Sequence, residues 1–183
     1  MHNSSYRIFP VEKAGVLQGW LRKIFQNPVK ILKPYIREGM TVLDMGCGPG
    51  FFAVPAAEMV GESGKVIAAD LQQGMLDKLR EKIKHLDVRN RILLHKCPEN
   101  SIGVAEKVDL FLAFQVVHEV MDPESFFKEV KSMLKPGGVL YIIEPSFVVS
   151  RKDFKKTLAL AGKIGFISVG TPKIFMGRSA VLK

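Results

Sequence analysis

Hydrophobic residues along this chain fall into two alternating patterns. Short runs are apolar at almost every position and are bounded by glycine, proline or charge, as expected of strands that a sheet buries on both faces. Between these runs, apolar residues recur every three or four positions, which predicts amphipathic helices. The predicted strands span residues 41–45, 66–69, 91–95, 108–114 and 139–143. Strands that alternate with helices predict an α/β fold with a mostly parallel sheet.

The helical pattern begins before the first strand and returns between the later ones. The apolar faces of the predicted helices lie within residues 11–26, 28–36, 51–60, 75–86, 126–134 and 154–161. Three of these helices have recognisable starts, namely Asn27-Pro28, Asp122-Pro123 and the capping-box pair Ser150 and Asp153. Residues 135–138 are predicted to form a turn, and the last two strands are expected to start at residues 165 and 179.

A glycine-rich turn follows the first predicted strand and leads into a helix. Gly46, Gly48 and Gly50 alternate there, so a ligand can approach main-chain atoms that a β-carbon would block. The dinucleotide fingerprint G-x-G-x-x-G is not matched, because the third glycine comes one residue early and Phe51 takes its place. Asp70 ends the second apolar run, where nucleotide-binding units carry the carboxylate that grips ribose hydroxyls. A ribose contact without a pyrophosphate turn predicts a nucleoside cofactor.

Residues 42–50 and 70–76 together resemble the first two motifs of the class I S-adenosylmethionine-dependent methyltransferases. The segment 115–121 and the Leu-Lys-Pro-Gly-Gly of residues 134–138 follow in the order of that family. The resemblance implies a Rossmann-like, doubly wound, seven-stranded sheet, mostly parallel, that ends in an antiparallel C-terminal hairpin. It also implies S-adenosyl-L-methionine as cofactor and S-adenosyl-L-homocysteine as product.

The same resemblance implies the cofactor contacts. Asp44 would face the amino group of the methionine part, the backbone of Gly46, Cys47, Gly48 and Gly50 would line it, and Asp70 would hold the ribose. The remaining predicted contacts border the adenine or the methyl group, and they are Leu71, Met75, Cys97, Pro98, Glu99, Phe114 and Gln115.

The segment Cys97-Pro98-Glu99 departs from the family, which carries an acid, a small residue and another acid there. Cys97 is a poor substitute for the carboxylate, and Pro98 has no N–H to donate to the adenine ring. Either Glu99 accepts from the adenine amino group, or the register of the loop differs.

His118, Glu119 and Glu144 are the candidate catalytic residues, because they follow the fourth strand and end the fifth, which face the methyl group in this family. Methyl transfer from a sulfonium needs a general base only when the attacking atom is protonated. His118 titrates near neutrality and is suited to that role. The alternative is that the histidine and glutamate fix a loop by hydrogen bonds.

Length and composition bound these interpretations. The chain has 183 residues and is predicted to form one domain, with residues 1–38 as an N-terminal helical cap and 39–183 as the cofactor-binding core. Tyr6, Phe9 and Trp20 are candidate pocket walls, or ordinary core or surface aromatics. The first ten residues do not resemble a signal peptide, and no run reaches transmembrane length, which predicts a cytoplasmic protein without a membrane-spanning segment. The two cysteines lack metal-site spacing, so no metal is predicted.

The net charge of +9 is concentrated at the two ends of the chain. Residues 1–39 carry seven Lys and Arg against two acids, residues 145–183 carry eight against one, and the middle carries twelve against fifteen. A basic rim suits an anionic substrate, an acidic lipid surface or RNA. The alternative is that these charges sit on solvated helix faces and maintain solubility.

We therefore expect an S-adenosylmethionine-dependent methyltransferase that acts on a small molecule, similar in its motifs to quinone-pathway and arsenite-type enzymes. Two cysteines are too few for the arsenite branch. One alternative is an RNA methyltransferase that uses the basic flanks, although no Asn/Asp-Pro-Pro-Tyr/Phe follows the fourth strand. Another is a non-catalytic S-adenosylmethionine-binding subunit. The displaced third glycine disfavours an NAD oxidoreductase, and the motifs leave the oligomeric state open.

Overall fold

A seven-stranded sheet organises the protein in the computed structural model, which describes residues 26–183. Its strands are β1 (Thr41–Met45), β2 (Lys65–Asp70), β3 (Ile92–Lys96), β4 (Val108–Phe114), β5 (Leu134–Pro145), β6 (Ser168–Gly170) and β7 (Gly177–Leu182). The spatial order is β3-β2-β1-β4-β5-β7-β6. The first five strands pair in parallel, whereas β7 is antiparallel to both β5 and β6. The predicted α/β fold with its antiparallel C-terminal hairpin is confirmed.

Helices cover both faces of the sheet. They are α1 (Pro28–Leu32), α2 (Ala53–Met59), α3 (Gln73–Ile83), α4 (Pro123–Met133) and α5 (Arg151–Lys163), and short 3₁₀ turns span Asp87–Arg91 and Val117–Glu119. Successive strand residues point to opposite faces, so Val42 packs with α1 to α3 whereas Leu43 packs with α4 and α5. The sheet is therefore doubly wound, with one apolar layer on each side.

The three predicted helix starts are confirmed. The side chain of Asn27 accepts from the N–H of Lys30, and Asp122 accepts from the N–H groups of Glu124 and Ser125. Ser150 Oγ accepts from the N–H of Asp153 at 3.1 Å. These caps supply partners for backbone donors that a helix leaves unpaired at its N-terminus.

The boundaries of several elements differ from prediction. The predicted turn at residues 135–138 is wrong, because these residues lie within β5. Leu134 pairs with Val108 and Val139 pairs with Leu110, so the intervening residues form an irregularity in the strand pairing. The positive φ of Gly137, 82°, lets the chain leave the ladder and return to it.

Other predicted boundaries were wrong by one to four residues. The helix expected over residues 28–36 ends at Leu32, because Pro34 has no N–H to continue the helical hydrogen bonds. The helix expected over 51–60 begins at Ala53, because the glycine turn still occupies residues 50–52. β3 is shifted by one residue, and β6 begins at Ser168 rather than 165.

The helix predicted over residues 11–26 lies outside the described residues except for Gln26, and so do the candidate pocket walls Tyr6, Phe9 and Trp20. Between residues 26 and 183, no helix is long and apolar enough to cross a bilayer.

Candidate active site

The five parallel strands end at one edge of the sheet, and most of the predicted site residues lie there. Because β1, β2, β4 and β5 run in the same direction, their carboxyl ends meet at this edge. Four buried residues each lie within two positions of a strand's carboxyl end, namely Asp44, Asp70, Phe114 and Glu144. We call this edge, with the glycine turn of residues 46–50, the carboxyl-edge site.

The glycine turn is fixed to the neighbouring strand β2. The N–H groups of Gly46 and Cys47 both donate to the carbonyl of Ala69, at 2.8 and 3.1 Å. The turn closes on itself through the N–H of Gly50, which donates to the carbonyl of Cys47 at 3.0 Å. The main chain of the turn is therefore held in place by hydrogen bonds.

Gly46 and Gly48 have different surroundings in the turn. Gly46 has φ of 67°, and a β-carbon there would lie 2.4 Å from Cγ2 of Val116. Gly48 has φ of 52°, but a β-carbon there would meet no atom within 4 Å. Packing demands glycine at Gly46, whereas the space in front of Gly48 leaves its main chain open to a ligand.

Asp70 joins the glycine turn to the start of α3. Its Oδ2 accepts from the N–H of Gly48 at 2.9 Å, and its Oδ1 accepts from the N–H of Gln72 at 2.8 Å. Burial raises the pKa of this carboxyl, and the backbone hydrogen bonds and Lys96 oppose that rise. Each carboxylate oxygen can accept more than one hydrogen bond, so both retain capacity for hydroxyl donors.

The residues predicted to border an adenine lie beside Asp70. Leu71 is partly exposed, and Met75 is buried on α3. The N–H of Cys97 donates to the carbonyl of Asp70 at 3.0 Å, and its sulfur lies 4.0 Å from Sδ of Met45. The next two predicted contacts are Pro98 and Glu99, which follow β3 in the chain and are exposed.

Neither cysteine is poised to react or to bind a metal. Burial raises the pKa of Cys97 to about 11. Burial also raises the pKa of Cys47, with a further contribution from Asp44. Both thiols therefore stay protonated near neutral pH. Among residues 26–183, no group of three or more His, Cys, Asp or Glu side chains is arranged to hold a metal ion.

Aromatic rings enclose the site where β4 ends. The ring of Phe114 lies 4.6 Å from that of Phe52 and 6.4 Å from that of Phe51, centroid to centroid. Gln115 then adopts a left-handed conformation with φ of 57°, and its N–H donates to the carbonyl of Ile143 at 2.7 Å. This reversal directs the following 3₁₀ turn toward β5.

Glu144 of β5 holds the 3₁₀ turn of Val117–Glu119 by hydrogen bonds. Glu144 is 1% exposed, and its Oε1 accepts from the N–H of Val117 at 2.8 Å. Its Oε2 forms a short hydrogen bond with Nδ1 of His118. This bond raises the pKa of His118, although burial of the ring opposes the rise. The buried carboxylate thus anchors both the backbone and the histidine of the turn.

The second nitrogen of His118 is not engaged by Glu144. The side chain is 23% exposed, and its Nε2 lies 3.9 Å from Oε1 of Glu119. Burial raises the pKa of Glu119, and His118 opposes that rise. When His118 is neutral, a proton on Nδ1 faces the Glu144 carboxylate, which leaves a lone pair on Nε2. The arrangement can accept a proton from a molecule at the carboxyl-edge site.

Three residues that contribute to the site were not predicted from the sequence. Lys82 Nζ of α3 donates to the carbonyls of Pro49 and Gly50, at 3.0 and 3.2 Å. Val116 packs against Gly46. The carboxylate of Glu129 accepts from the N–H groups of Ile102 and Gly103 and so holds the loop after β3. These contacts join residues 26 to 70 positions apart, and the sequence contained no local pattern that could have revealed them.

Comparison with known proteins bears on this arrangement. A family model described as a methyltransferase domain matches residues 36–164. A demethylmenaquinone methyltransferase of Lactobacillus johnsonii is 30% identical over 133 residues, which are 72% of this chain and 52% of that protein. The ubiquinone/menaquinone biosynthesis C-methyltransferase UbiE of Haemophilus ducreyi is 31% identical over 110 residues, which are 60% of this chain and 42% of that protein. The chain thus spans about half the length of the curated relatives it matches.

Solved structures share the fold. A SAM-dependent methyltransferase from Aquifex aeolicus is 28% identical, superimposes with a TM-score of 0.79, and is matched over 93% of this chain and 96% of its own. TrmN from Thermus thermophilus, at 22% identity, has a TM-score of 0.69 over 97% of this chain and 52% of its own, which is a likeness of fold. Because the family model covers well over half of the chain, this protein belongs to the methyltransferase domain family, among the S-adenosylmethionine-dependent methyltransferases of class I.

Proposed function

We propose that this protein transfers a methyl group from S-adenosylmethionine to a small organic acceptor, with His118 as the general base. The observation that carries the proposal is the His118–Glu144 pair at the carboxyl-edge site, with Nε2 directed away from the carboxylate. The names of the curated relatives support an acceptor of the quinone-precursor kind, because the UbiE proteins are described as C-methyltransferases of ubiquinone and menaquinone biosynthesis.

Several described residues fit the cofactor. The open space before Gly48 admits a ligand against the main chain, and Asp70 keeps acceptor capacity for ribose hydroxyls. Asp44 would hold the amino group of the methionine part, and Leu71 and Met75 would border the adenine. Cys47 and Gly50 would contribute backbone to the same wall. When bound, the sulfonium cofactor supplies the methyl group.

The adenine amino group needs a separate partner. The N–H of Cys97 already donates to Asp70, and the thiol of Cys97 lies against Met45. Pro98 has no N–H. We therefore assign the contact with the amino group to the exposed carboxylate of Glu99.

The chain's own residues would then perform two tasks. Phe114, packed against Phe52, and Gln115, with its left-handed conformation, shape the end of β4, where the acceptor would lie. His118 Nε2 takes the acceptor's proton, and the resulting imidazolium is stabilised by Glu144 through the bond to Nδ1. A hydrogen bond to a charged group of this kind contributes about 1.5 to 3 kcal/mol. Glu119 adds a weaker, more distant negative charge on the Nε2 side.

The division into a helical cap, residues 1–38, and a core, residues 39–183, is part of the proposal, as is a cytoplasmic location. Within that cap, α1 buries Ile31 and Leu32 in the apolar layer shared with α2 and α3. This packing supports a cap that continues directly into the core.

The test uses methyl-tritiated S-adenosylmethionine, the purified protein and a total cell extract, followed by size filtration with and without nuclease. We expect label in the small fraction, unaffected by nuclease, with a product that mass spectrometry can identify. Label in large, nuclease-sensitive material would instead show an RNA methyltransferase. Intact S-adenosylhomocysteine binding without any transfer would show a binding subunit.

A further inference from the structure

Two exposed apolar tips lie side by side next to the carboxyl-edge site. One follows β5, where Phe147 and Val148 are 73% and 55% exposed, and the other precedes β7, where Phe175 and Met176 are 54% and 53% exposed. Pro145 pairs with Gly177 in the sheet, and the N–H of Ser146 donates to the carbonyl of Met176 at 2.9 Å. The two tips therefore form one surface, which we call the tip pair.

The first tip is held in its outward position. Arg178 of β7 donates to the carbonyl of Val149 at 2.7 Å and to that of Ser146 at 3.4 Å. The N–H groups of Val148 and Val149 both donate to the carbonyl of Pro145, and Val149 is itself buried. A tip fixed by four hydrogen bonds presents Phe147 and Val148 to the surroundings as part of the fold.

Exposed basic residues flank the tip pair in sequence. Arg151, Lys152 and Lys155 begin α5 directly after the first tip, and Lys173 precedes the second; all four are exposed. The single acid of residues 145–183, Asp153, pairs with Lys156 at 2.8 Å. Among residues 26–183, no ion pair involves Arg151, Lys152, Lys155 or Lys173.

Large exposed apolar side chains with exposed basic residues close by in sequence match the chemistry of an anionic bilayer surface. Apolar groups gain free energy by leaving water, and lysine or arginine near the surface is attracted to negative head groups. We infer that the tip pair docks onto an anionic lipid bilayer, with its apolar side chains among the lipids and the neighbouring basic residues against the head groups. This accounts for the basic C-terminal flank of the sequence.

Docking would also place the active site at the lipid surface. Glu144 lies three residues before Phe147, and Met121, which is exposed, lies two residues after Glu119 on the β4 side. The carboxyl-edge site would therefore open toward the bilayer, from which a lipid-soluble acceptor could enter. This second step rests on the proposed function, whereas docking itself does not.

The experiment is sedimentation of the full chain with vesicles of phosphatidylcholine alone or with phosphatidylglycerol added, at low and high salt. We expect binding to the anionic vesicles, at least 10-fold weaker binding to neutral ones, and loss of binding as salt rises. The double variant F147S/V148S should bind on the order of 10-fold or more weakly, because it removes the apolar contact. K152E/K155E should weaken binding to anionic vesicles by about 25-fold or more, because the two lysines contribute roughly fivefold each and charge reversal adds to the loss.

Controls come from the other end of β7, away from the tip pair, where the N–H of Ile167 donates to the carbonyl of Lys183. Ile167 and Val169 are exposed apolar residues there, and Lys163 ends α5. I167S/V169S and K163E should bind vesicles like the unchanged protein. Equal losses in test and control variants, or equal binding to both vesicle types, would overturn the inference.

A calorimetric titration with S-adenosylhomocysteine separates this result from the proposed function. The F147S/V148S variant should keep the affinity of the unchanged protein, because both side chains are exposed and follow β5, whereas the glycine turn and Asp70 lie at the ends of β1 and β2. Failure of S-adenosylhomocysteine binding in the unchanged protein would contradict the proposed function. Failure of vesicle binding with cofactor binding intact would contradict only the docking surface.

Discussion

Replacing Glu144 with glutamine tests the proposed base through its hydrogen-bond partner. The buried side chain of a glutamine has nearly the same shape, so its carbonyl oxygen can still accept from the N–H of Val117. Its NH₂ group can only donate toward Nδ1 of His118. Nδ1 must then accept, the proton of the neutral ring moves to Nε2, and the lone pair that would take the acceptor's proton is lost.

The expected magnitude follows from the contacts. Loss of a charge-assisted hydrogen bond costs the imidazolium about 1.5 to 3 kcal/mol, which corresponds to about a 10- to 150-fold decrease in rate. The tautomer change adds to this, and general base catalysis as a whole contributes about 100- to 10,000-fold. We therefore expect kcat of Glu144→Gln to fall by about 100-fold or more. The pKa of His118 should also fall, because the group that raises it is gone.

The assay combines kcat as a function of pH with nitrogen NMR of the imidazole rings. In the unchanged protein kcat should rise with pH through the pKa of His118, because only the neutral ring can accept a proton. The control is Glu119→Gln, whose oxygen lies 3.9 Å from Nε2 and which leaves the bond to Nδ1 in place. It should change kcat much less. If Glu144→Gln keeps both the kcat and the His118 tautomer of the unchanged protein, the assignment of His118 as base is refuted.

Three further predictions concern cofactor binding, folding and thiol reactivity. Asp70→Ala should weaken S-adenosylhomocysteine binding by about an order of magnitude or more, since a hydrogen bond to a charged group contributes about 1.5 to 3 kcal/mol; unchanged calorimetric affinity would contradict the ribose assignment. Gly46→Ala should lower the free energy of unfolding in urea by about 2 kcal/mol or more, because the positive φ is strained and the new methyl overlaps Val116. Its control, Gly162→Ala in α5, meets no atom within 4 Å and should raise that free energy by about 0.5 to 1 kcal/mol; equal effects would refute the steric reasoning. Cys97 should react with a thiol reagent at pH 8 only as fast as the protein opens, because it is buried with a pKa of about 11; fast reaction of the folded protein would exclude that burial.

The histidine-bearing turn also predicts how stability depends on pH. The folded-state pKa of His118 is raised by Glu144, so this group's contribution to stability is fully present below the unfolded pKa of about 6.5 and is lost as pH rises through the folded pKa. Glu144→Gln should remove this part of the pH dependence, which urea unfolding at several pH values would measure.

Much of the fold could be predicted from the sequence because its signals are local. The apolar run of β4 matches residues 108–114 to the residue, and the caps at Asn27, Asp122 and Ser150 bond groups two or three positions away. The irregularity of β5 could not be predicted, because it depends on which β4 residue pairs with Leu134. Pairing of this kind is set by tertiary contacts that lie outside the local pattern.

The candidate site divides in the same way. The residues of the glycine turn are consecutive, and Asp70 follows at a fixed place, so the sequence pattern contains them. The bond between His118 and Glu144 joins two strand ends, and it depends on the left-handed conformation of Gln115, which no sequence pattern indicates. Lys82 reaches the glycine turn from the last turn of α3, again across the fold.

The sequence left two interpretations of His118 open, a catalytic base or a member of a loop-fixing pair, and the geometry makes them compatible. One carboxylate binds both the backbone N–H of Val117 and Nδ1 of His118, so the bond that holds the turn also determines which ring nitrogen carries the proton. A loop-fixing role alone would make every change at Glu144 act through stability. A catalytic role requires in addition a larger effect on kcat than on stability. With the Val117 bond retained, Glu144→Gln must change the free energy of activation obtained from the pH profile of kcat more than it changes the free energy of unfolding. The ratio of those two effects therefore distinguishes a turn that merely folds from one that also accepts a proton.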